Sequence, residues 1–506
     1  MLKIHCHSNI QNKKKNTINH ELHTRKKKLE KLKKQGNAFP NNFHKNITLT
    51  QIYKIYGKKS KEELKTINKT IKIAGRMTSK RIMGKNSFVI LQNIEGKIQL
   101  YVTSKKITEN FYKKNFKTWD LGDIIGTHGT LFKTNTGELS IYCKKICLLT
   151  KAIQPFPDKF HGLNNHDIRY RKRYLDLITN EKTRLIFKTR SRIIAEIRKF
   201  MHNNNFVEVE TPMMQIIPGG AKANPFKTYH NSLNLNMYMR ISPELYLKQL
   251  IIGGFEKIFE INKNFRNEGI SPYHNPEFTM MELYIAYENY LGLIILIEKL
   301  FKTLTKKILG EHILHYKNYI FDFSKKFTKM TMKQAICHFC PNITQKKLDN
   351  IHDAYIIANS LGIQTHKTWG IGKIQTKIFE HVAENNLIQP TFITHYPTEV
   401  SPLARKNNKN PLLADRFELF IGGLEIGNGF SELNDSENQK INFKKNLQSI
   451  HNNNTNILYD KNYITALEYG LPPTAGLGIG IDRLIMLFTN TTNIRDVILF
   501  PLLRPK

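Results

Sequence analysis

From about Ile71 to Thr150, apolar and polar residues alternate with a period of two. The runs IKIAGRMTSKRI, SFVILQNIEGKIQLYVT and DIIGTHGTLFKTNTGELSIYCKKICLL are interrupted by Gly and Asn. A period of two sends successive side chains to opposite faces of an extended chain, whereas a helix needs apolar residues every three or four positions. Several short strands at regular spacing predict a small closed β-sheet. Gln154-Pro155-Phe156-Pro157 then ends the pattern, because proline has no amide hydrogen to give to a ladder.

The rest of the chain has a different texture. Residues 181–204 carry apolar residues at helical spacing, FVEVETPMM alternates like a strand as far as Pro212, and a mainly helical stretch occupies about 330–385. Two strand-like runs, RFELFIGGLEIGNGFSEL and GLGIGIDRLIMLF, close the chain. The 506 residues therefore divide into a basic helical extension (1–66), a barrel (67–150), a linker (151–180) and a second domain (181–506). A barrel of the oligonucleotide-binding type fits the length of the β-rich unit. On or beside its strands, Arg76, Phe88 and Gln99 are read as exposed, supplying a cation, a stacking ring and an amide for unpaired bases. Phe88 also suits a core position. In the extension, ELHTRKKKLEKLKK sets Leu22, Leu29 and Leu32 in a basic field. That is a narrow apolar stripe on either a solvated helix or one that contacts a phosphate backbone.

Composition narrows the class. Hydrophobic residues make up 40% of the chain, enough for a core, and no apolar run is long enough to span a membrane. The net charge of +37 suits a nucleic-acid partner. The chain is also rich in Lys, Asn, Ile and Tyr, which an A+T-biased coding sequence inflates whatever the function. Five cysteines in so long a chain do not make a disulfide scaffold and fit a reducing compartment. Cys337 and Cys340, in CHFC, have metal or redox spacing, but no second ligand pair lies nearby and ordinary small buried residues are the better reading. The N-terminus has no secretory apolar core. Being basic and acid-poor, it reads as an organellar transit peptide or as the start of a native basic helix, with a His5-Cys6-His7 trio near its end.

Three constellations carry chemistry. In Phe265–Tyr287, FRNEGISPYHNPEFTMMELYIAY, the Arg266 fork suits a phosphate together with a carboxylate, although Arg266 and Glu268 taken alone read as a surface ion pair. Glu268, taken as two residues further along one strand, shares its face and accepts from an exocyclic amine. His274 adds a donor and Phe278 a π-face for a purine. The second is GIGIDRL, where glycines permit close backbone approach and Arg483 opens a helix. It is not a dinucleotide fingerprint, which needs a βαβ unit after the glycines and a downstream acid, and too little chain remains. The third is Glu418, Glu425 and Glu432, each seven residues from the next. On an uninterrupted strand they alternate between faces, but Gly422-Gly423 permits a hairpin or bulge that unites Glu418 and Glu425. Paired carboxylates beside phosphates suit Mg²⁺; unrelated surface acids are the alternative.

With FRNE, HNPEF and GIGIDR in this order after a helix and strand ending at Pro212, the chain resembles the class II aminoacyl-tRNA synthetases. The barrel is similar to that of the subgroup serving lysine, aspartate and asparagine. SPELYLKQLIIGGFEKIFEINKNFRNEG, MMELYIAY, EIGNGFSELND and LPPTAGLGIGIDRL resemble bacterial-type lysyl-tRNA synthetases, from about Glu21 to Pro505. The resemblance implies an α+β fold: an OB-type anticodon-binding barrel, then a catalytic domain with an antiparallel sheet flanked by helices. It implies activation of L-lysine with ATP to lysyl-adenylate, then transfer to the 3′-end of tRNA(Lys). Arg266 holds the α-phosphate and the attacking carboxylate, Arg483 the γ-phosphate, and Phe278, Glu268 and His274 the rest of ATP. Glu418 and Glu425 carry Mg²⁺. Gly220 and Glu244 receive the α-ammonium, with Glu282 joining them or supporting the pocket from behind. A lysine side chain needs an acceptor in a closed pocket; Glu432 supplies it, with Tyr284 and Asn428 completing the shell. Leu424 stands where relatives carry a basic residue, removing one ion-pair partner from Glu425.

The resemblance further implies a homodimer in the cytoplasm. Two other readings compete: a synthetase-like ligase that lysylates protein, and a non-catalytic RNA-binding protein. The barrel argues against the first, and the joint presence of Arg266, Phe278, Glu418, Glu425 and Arg483 against the second.

Overall fold

The computed structural model describes residues 19–67, 69–156, 165–450 and 460–505, with backbone alone over 446–450. The His5-Cys6-His7 trio, and most of the segment read as a transit peptide, lie outside the described residues. The chain divides between Asn164 and Asn165 into two units.

In the first unit, β1 (Ile71–Met83), β2 (Asn86–Asn93), β3 (Gly96–Thr103), β4 (Ile124–Lys133) and β5 (Leu139–Thr150) close a barrel in the order β1-β2-β3-β5-β4. The alternation is realised directly: Val89, Leu91, Leu100 and Val102 point inward and are fully buried. The extension belongs to the same unit. A Thr48 capping box starts the helix Leu49–Tyr56, and Leu49, Ile52, Tyr56 and Leu64 share the barrel's core. In the basic helix over 19–34 the leucines stay half-buried, while Arg25 is buried. Its guanidinium donates to the carbonyls of Leu121, Ala152 and Gln154 and pairs with Glu21. Lys28 pairs with Asp120 at 2.7 Å. Cations, with several donors each, therefore anchor the helix where the leucine stripe is too narrow to do so.

The second unit holds β6 (Val207–Glu208), a three-stranded sheet of β7 (Met214–Gln215), β8 (Lys227–His230) and β9 (Leu235–Met239), then β10 (Lys257–Phe265) and β11 (Glu277–Ala286). A hairpin of β12 (Ile313–Tyr316) and β13 (Tyr319–Asp322) precedes β14 (Thr328–Thr331), β15 (Thr391–Thr394), β16 (Arg416–Ile421), β17 (Leu424–Ser431) and β18 (Thr474–Gly480). Eight strands form one sheet in the order β14-β15-β16-β17-β18-β11-β10-β6. The two outermost pairs are parallel and the rest antiparallel, so the sheet is mixed rather than wholly antiparallel. Helices Glu181–Asn203 and Tyr290–Leu309 cover one face, against Met281, Leu283, Leu419, Leu477 and Ile479. The strand expected through FVEVETPMM shrinks to Val207–Glu208.

The segment expected as a linker is divided. Residues 165–180 form helices His166–Arg171 and Arg173–Thr179 within the second unit. Arg173 is fully buried there, donating to the carbonyls of Arg495, Ile498 and Leu499 and pairing with Asp176 at 2.8 Å. Between 330 and 385 run the helices Met332–Phe339, Gln345–Leu348, Ile351–Ser360 and Ile371–Val382, with a core of their own. Cys337 and Cys340 pack against that core. Among the described residues no three His, Cys, Asp or Glu side chains converge as a metal cage, and no helix is long and apolar enough to cross a membrane.

Asp482, next to Arg483, locks three elements together. Its buried carboxylate accepts from Arg190 on the helix Glu181–Asn203 at 2.6 Å and from the Thr279 amide of β11 at 2.7 Å. Asp482→Ala strands the half-buried Arg190 guanidinium and the Thr279 amide and is expected to cost roughly 1–3 kcal/mol of stability. Urea unfolding reads this as a lowered midpoint; an unchanged midpoint would remove Asp482 from that role.

Candidate active site

The other face of the large sheet, covered at one end by the helices Glu244–Ile252 and Lys461–Glu468, is organised in rows across its strands. One row reads Glu260, Glu282, Gly478, Asn428, Glu418; the next reads Ile258, Tyr284, Gly476, Phe430, Arg416. The period of two in GLGIG explains the floor. Leu477 and Ile479 enter the core while Gly476, Gly478 and Gly480 face the other way. A glycine-lined strand leaves open volume between flanking side chains. A Cβ on Gly476 would lie 2.0 Å from Oε1 of Glu432 and 2.6 Å from the Tyr284 ring. Gly476→Ala is therefore expected to raise the KM for the pocket's ligand by roughly 5- to 150-fold, from overpacking of about 1–3 kcal/mol; an unchanged KM would exclude a ligand against this floor.

At one end of the floor lies an acidic pocket. Glu432 follows β17, its amide donating to the Thr474 carbonyl, and is fully buried against Gly476. Tyr284 donates to Glu282 at 3.3 Å and Ser242 donates to Glu282 at 3.0 Å. Burial, then the nearby Glu244, pushes the Glu282 carboxyl up to about 8. Gly220 has φ +84°, and a Cβ there would meet Glu244 at 2.9 Å and Ser242 at 3.1 Å, so Gly220 closes over Glu244. The acids are tied by Lys248, which sequence reasoning missed: its buried ammonium pairs with Glu244 at 2.7 Å and with Glu432. The four-residue spacing of Glu244 and Lys248 on one helix was the available signal.

The end expected to hold the nucleotide assembles from loops. β10 ends at Phe265, so Arg266 and Glu268 lie beyond the strand and the shared-face argument for them does not hold. The Arg266 amide instead bonds the Pro276 carbonyl, closing the hairpin, and its guanidinium lies 5.1 Å over the Phe278 ring. Glu268 is exposed at the loop. Arg483 reaches the same loop: its Nη2 donates to Nε2 of His274 at 3.0 Å. A guanidinium has no acceptor, so His274 is neutral at Nε2 and its Nδ1 hydrogen goes to Ser271 at 2.8 Å. Burial, then Arg483, holds its pKa below the usual histidine value. Arg483 also donates to the Glu425 carbonyl at 2.6 Å.

Both devices foreseen for the glutamates occur together. Gly422 (φ +64°) and Gly423 (φ +72°) make a two-residue hairpin turn that requires positive φ at both positions. Leu419 pairs with Gly427 and Phe420 with Glu425, leaving Ile426 as a bulge. The extra residue resets the alternation, so Glu418, Glu425, Asn428 and Glu432 share the site face. Glu418 is held by Arg416 at 2.5 Å and by the Tyr396 hydroxyl at 2.7 Å. Burial raises its carboxyl, Arg416 opposes this, and Glu425 adds to the rise. Asn428 accepts from Arg416 at 3.2 Å, linking the carboxylate pair to the pocket. Glu384, which sequence reasoning missed, comes near the pair; burial, then Glu425 and Glu418, pushes it up to about 7.

On the barrel, Arg76, Phe88 and Gln99 are half-buried rather than exposed, because each packs into the outer surface. Arg76 donates to the Gly122 carbonyl at 2.7 Å, and Gln99 accepts from Ser140 at 2.8 Å. Phe88 alternates with the inward Val89 and faces outward, its ring 5.0 Å from Tyr101, which stacks on Tyr142 at 5.6 Å. Gln99 is two residues from Tyr101 on the same face.

The family described as tRNA synthetases class II (D, K and N) matches residues 165–504, and the OB-fold nucleic acid binding domain matches residues 71–149. The lysine–tRNA ligase of Sodalis glossinidius (strain morsitans) is 60% identical over 490 residues, 97% of each chain. That of Baumannia cicadellinicola subsp. Homalodisca coagulata is 58% identical over 508 residues, 100% of each chain. That of Edwardsiella ictaluri (strain 93-146) is 58% identical over 490 residues, 97% of each. By these matches the chain belongs to the lysine–tRNA ligases of the class II tRNA synthetase family.

Proposed function

We propose that this chain activates L-lysine with ATP and transfers it to tRNA(Lys), using the residues of the glycine-floored face. The observation that carries the assignment of residues is the charge of the pocket: Glu244, Glu282 and Glu432 meet beside the Arg266–Phe278 pair. Glu432 and Tyr284 receive the ε-ammonium, with Asn428 at the wall. Glu244 and the Gly220 backbone receive the α-ammonium, with Glu282 behind. Arg266 aligns the lysine carboxylate with the α-phosphate. Phe278 stacks on adenine, Glu268 accepts its amine, and His274 with Arg483 grips the distal phosphates.

Lysine's carboxylate oxygen attacks the α-phosphorus, pyrophosphate leaves, and the terminal ribose hydroxyl of tRNA then displaces AMP from the adenylate. Catalysis on this reading is alignment plus charge neutralisation, without a covalent enzyme intermediate. Glu418 and Glu425 fit Mg²⁺, which takes one or two carboxylates and completes its shell with phosphates. When bound, the ion neutralises phosphate charge. The protein's own part is to hold Glu418 in place through Arg416 and Tyr396.

The outer face of the barrel, with Arg76, Phe88 and Gln99, takes the anticodon. We further assign the chain to a cytoplasmic homodimer, with residues 67–150 as anticodon module and the C-terminal unit as catalytic domain. Lysine-dependent ATP–pyrophosphate exchange, followed by charging of tRNA with a UUU anticodon, tests the function. Exchange without charging would favour a protein-lysylating ligase instead. Phe88→Ala is expected to lower kcat/KM for tRNA by roughly 10–100-fold, from about 1–3 kcal/mol per stacked base. Pyrophosphate exchange, which uses no tRNA, is the internal reference; equal loss in both assays would place Phe88 in the fold instead.

A further inference from the structure

Lys248 lies at the centre of the pocket's charges. Its side chain is fully buried on the helix Glu244–Ile252, and its ammonium spans Glu244 and Glu432, 5.6 Å from the Phe430 ring. Burial disfavours its charge, but Glu244 and Glu432 outweigh that and hold the ammonium well above the usual lysine range. It is a permanent cation.

The charges of the pocket that Lys248 shares come from several elements. Glu244 comes from its own helix, Glu282 from β11 and Glu432 from the end of β17. Tyr284 on β11 and Tyr463 on the helix Lys461–Glu468 are neutral, their hydroxyls raised by burial. Glu260 is matched by Arg240 at 2.8 Å. Arg266 is matched by the substrate carboxylate. Three carboxylates against one ammonium leave two negative charges. Apart from Lys248, neither oxygen of Glu432 meets a donor among the described residues.

We propose that Lys248 is a resident counter-charge that ties Glu244 to Glu432 and leaves the pocket two negative charges from balance, so that an amino acid with two ammonium groups neutralises it. This rests on the lysine-site reading above. A substrate with one ammonium leaves a buried charge uncompensated, which is costly. Lys248 touches no reacting atom; it is a positioning residue acting through the two glutamates it joins.

The empty pocket relieves its excess charge with a proton shared among its raised carboxyls: Glu282, pushed up to about 8 by burial and then by Glu244, and Glu432, pushed well up by burial against the pull of Lys248. Binding a second ammonium expels that proton. Lysine's KM therefore falls as pH rises toward about 8, by up to roughly tenfold per unit, and then levels off.

The test is lysine-dependent pyrophosphate exchange by the full-length wild type, Lys248→Met and Lys248→Arg, across about pH 6.5–8.5. Lys248→Met keeps the volume and removes the charge. Its lysine KM is expected to rise at least about 30-fold with the ATP KM within about twofold, and the pH at which lysine KM levels off to move up by roughly one unit or more. Lys248→Arg restores part of the lysine KM because it restores the cation. An unchanged lysine KM and pH profile in Lys248→Met overturns the proposal and leaves the lysine site standing. Absence of lysine-dependent exchange by the wild type overturns both. If Lys248→Met does not fold, calorimetry of lysine binding to the wild type at about pH 7 in two buffers of different ionisation enthalpy decides. Proton release supports the charge balance, and binding without proton exchange overturns it.

Discussion

Glu432→Gln lowers kcat/KM for lysine by on the order of a hundred- to thousand-fold while the KM for ATP stays near the wild-type value. Glu432 is fully buried, rests on Gly476 and pairs with Lys248. Glutamine keeps the shape of the side chain, so the change isolates charge from volume. Two ammonium groups lose a carboxylate: that of Lys248, which keeps Glu244, and the ε-ammonium assigned to the substrate. Breaking a buried pair costs roughly 3–5 kcal/mol, and each 1.36 kcal/mol is about tenfold in rate. Pyrophosphate exchange at varied lysine separates this from general damage, because the nucleotide end is built from Arg266, Phe278 and Arg483 and not from Glu432. Lysine constants equal to those of the wild type would move the ε-ammonium site elsewhere.

Much of this site was legible because local rules placed it. Alternation in GLGIG predicts a glycine face once the strand is buried on its other side by Leu477 and Ile479. Gly422-Gly423 announces a hairpin by demanding positive φ twice. The bulge at Ile426 was legible only as an option, since bulge and flush pairing differ by one residue of register that neighbouring strands decide. Glu268 was misplaced for a related reason: strand length depends on its partner, and β10 stops pairing at Phe265.

Charge pairing across long stretches of chain was not legible. Lys248 reads as a surface lysine on a helix until folding sets Glu432 against it. Asp482 reads as a companion of Arg483, yet it turns inward to Arg190 and Thr279. Arg25 and Arg173 likewise look like solvated cations, and both serve buried carbonyls. In a chain with a net charge of +37, composition conceals which cations are structural. The barrel was the opposite case. Its period-two pattern placed the strands, but not that the extension's Leu49, Ile52 and Tyr56 complete the same core.

Arg483→Ala is expected to lower kcat/KM for ATP by roughly a hundred-fold, since hydrogen bonds to charged groups contribute about 1.5–3 kcal/mol each and the fork makes more than one. Arg483 opens the helix Ile481–Phe488 at the end of the glycine strand, with its guanidinium between His274 and Glu425. Those contacts hold it at the mouth of the nucleotide end, where a phosphate competes with the neutral imidazole for the same N–H groups. His274 accepts weakly and Glu425 mainly through its backbone carbonyl, so both release the fork readily to an anion. The side chain is partly exposed, so truncation leaves the core of the helix in place and the thermal midpoint within about 2–4 °C, the shift of about 1 kcal/mol in a domain of this size. Arg483→Lys keeps the charge and loses the planar fork, and recovers only part of the loss. Exchange at varied ATP separates the two ends of the site: the Glu432 variant fails in lysine, the Arg483 variant in ATP. Normal ATP activation by Arg483→Ala would take this arginine out of the site and leave the distal phosphates to His274 and the carboxylate pair.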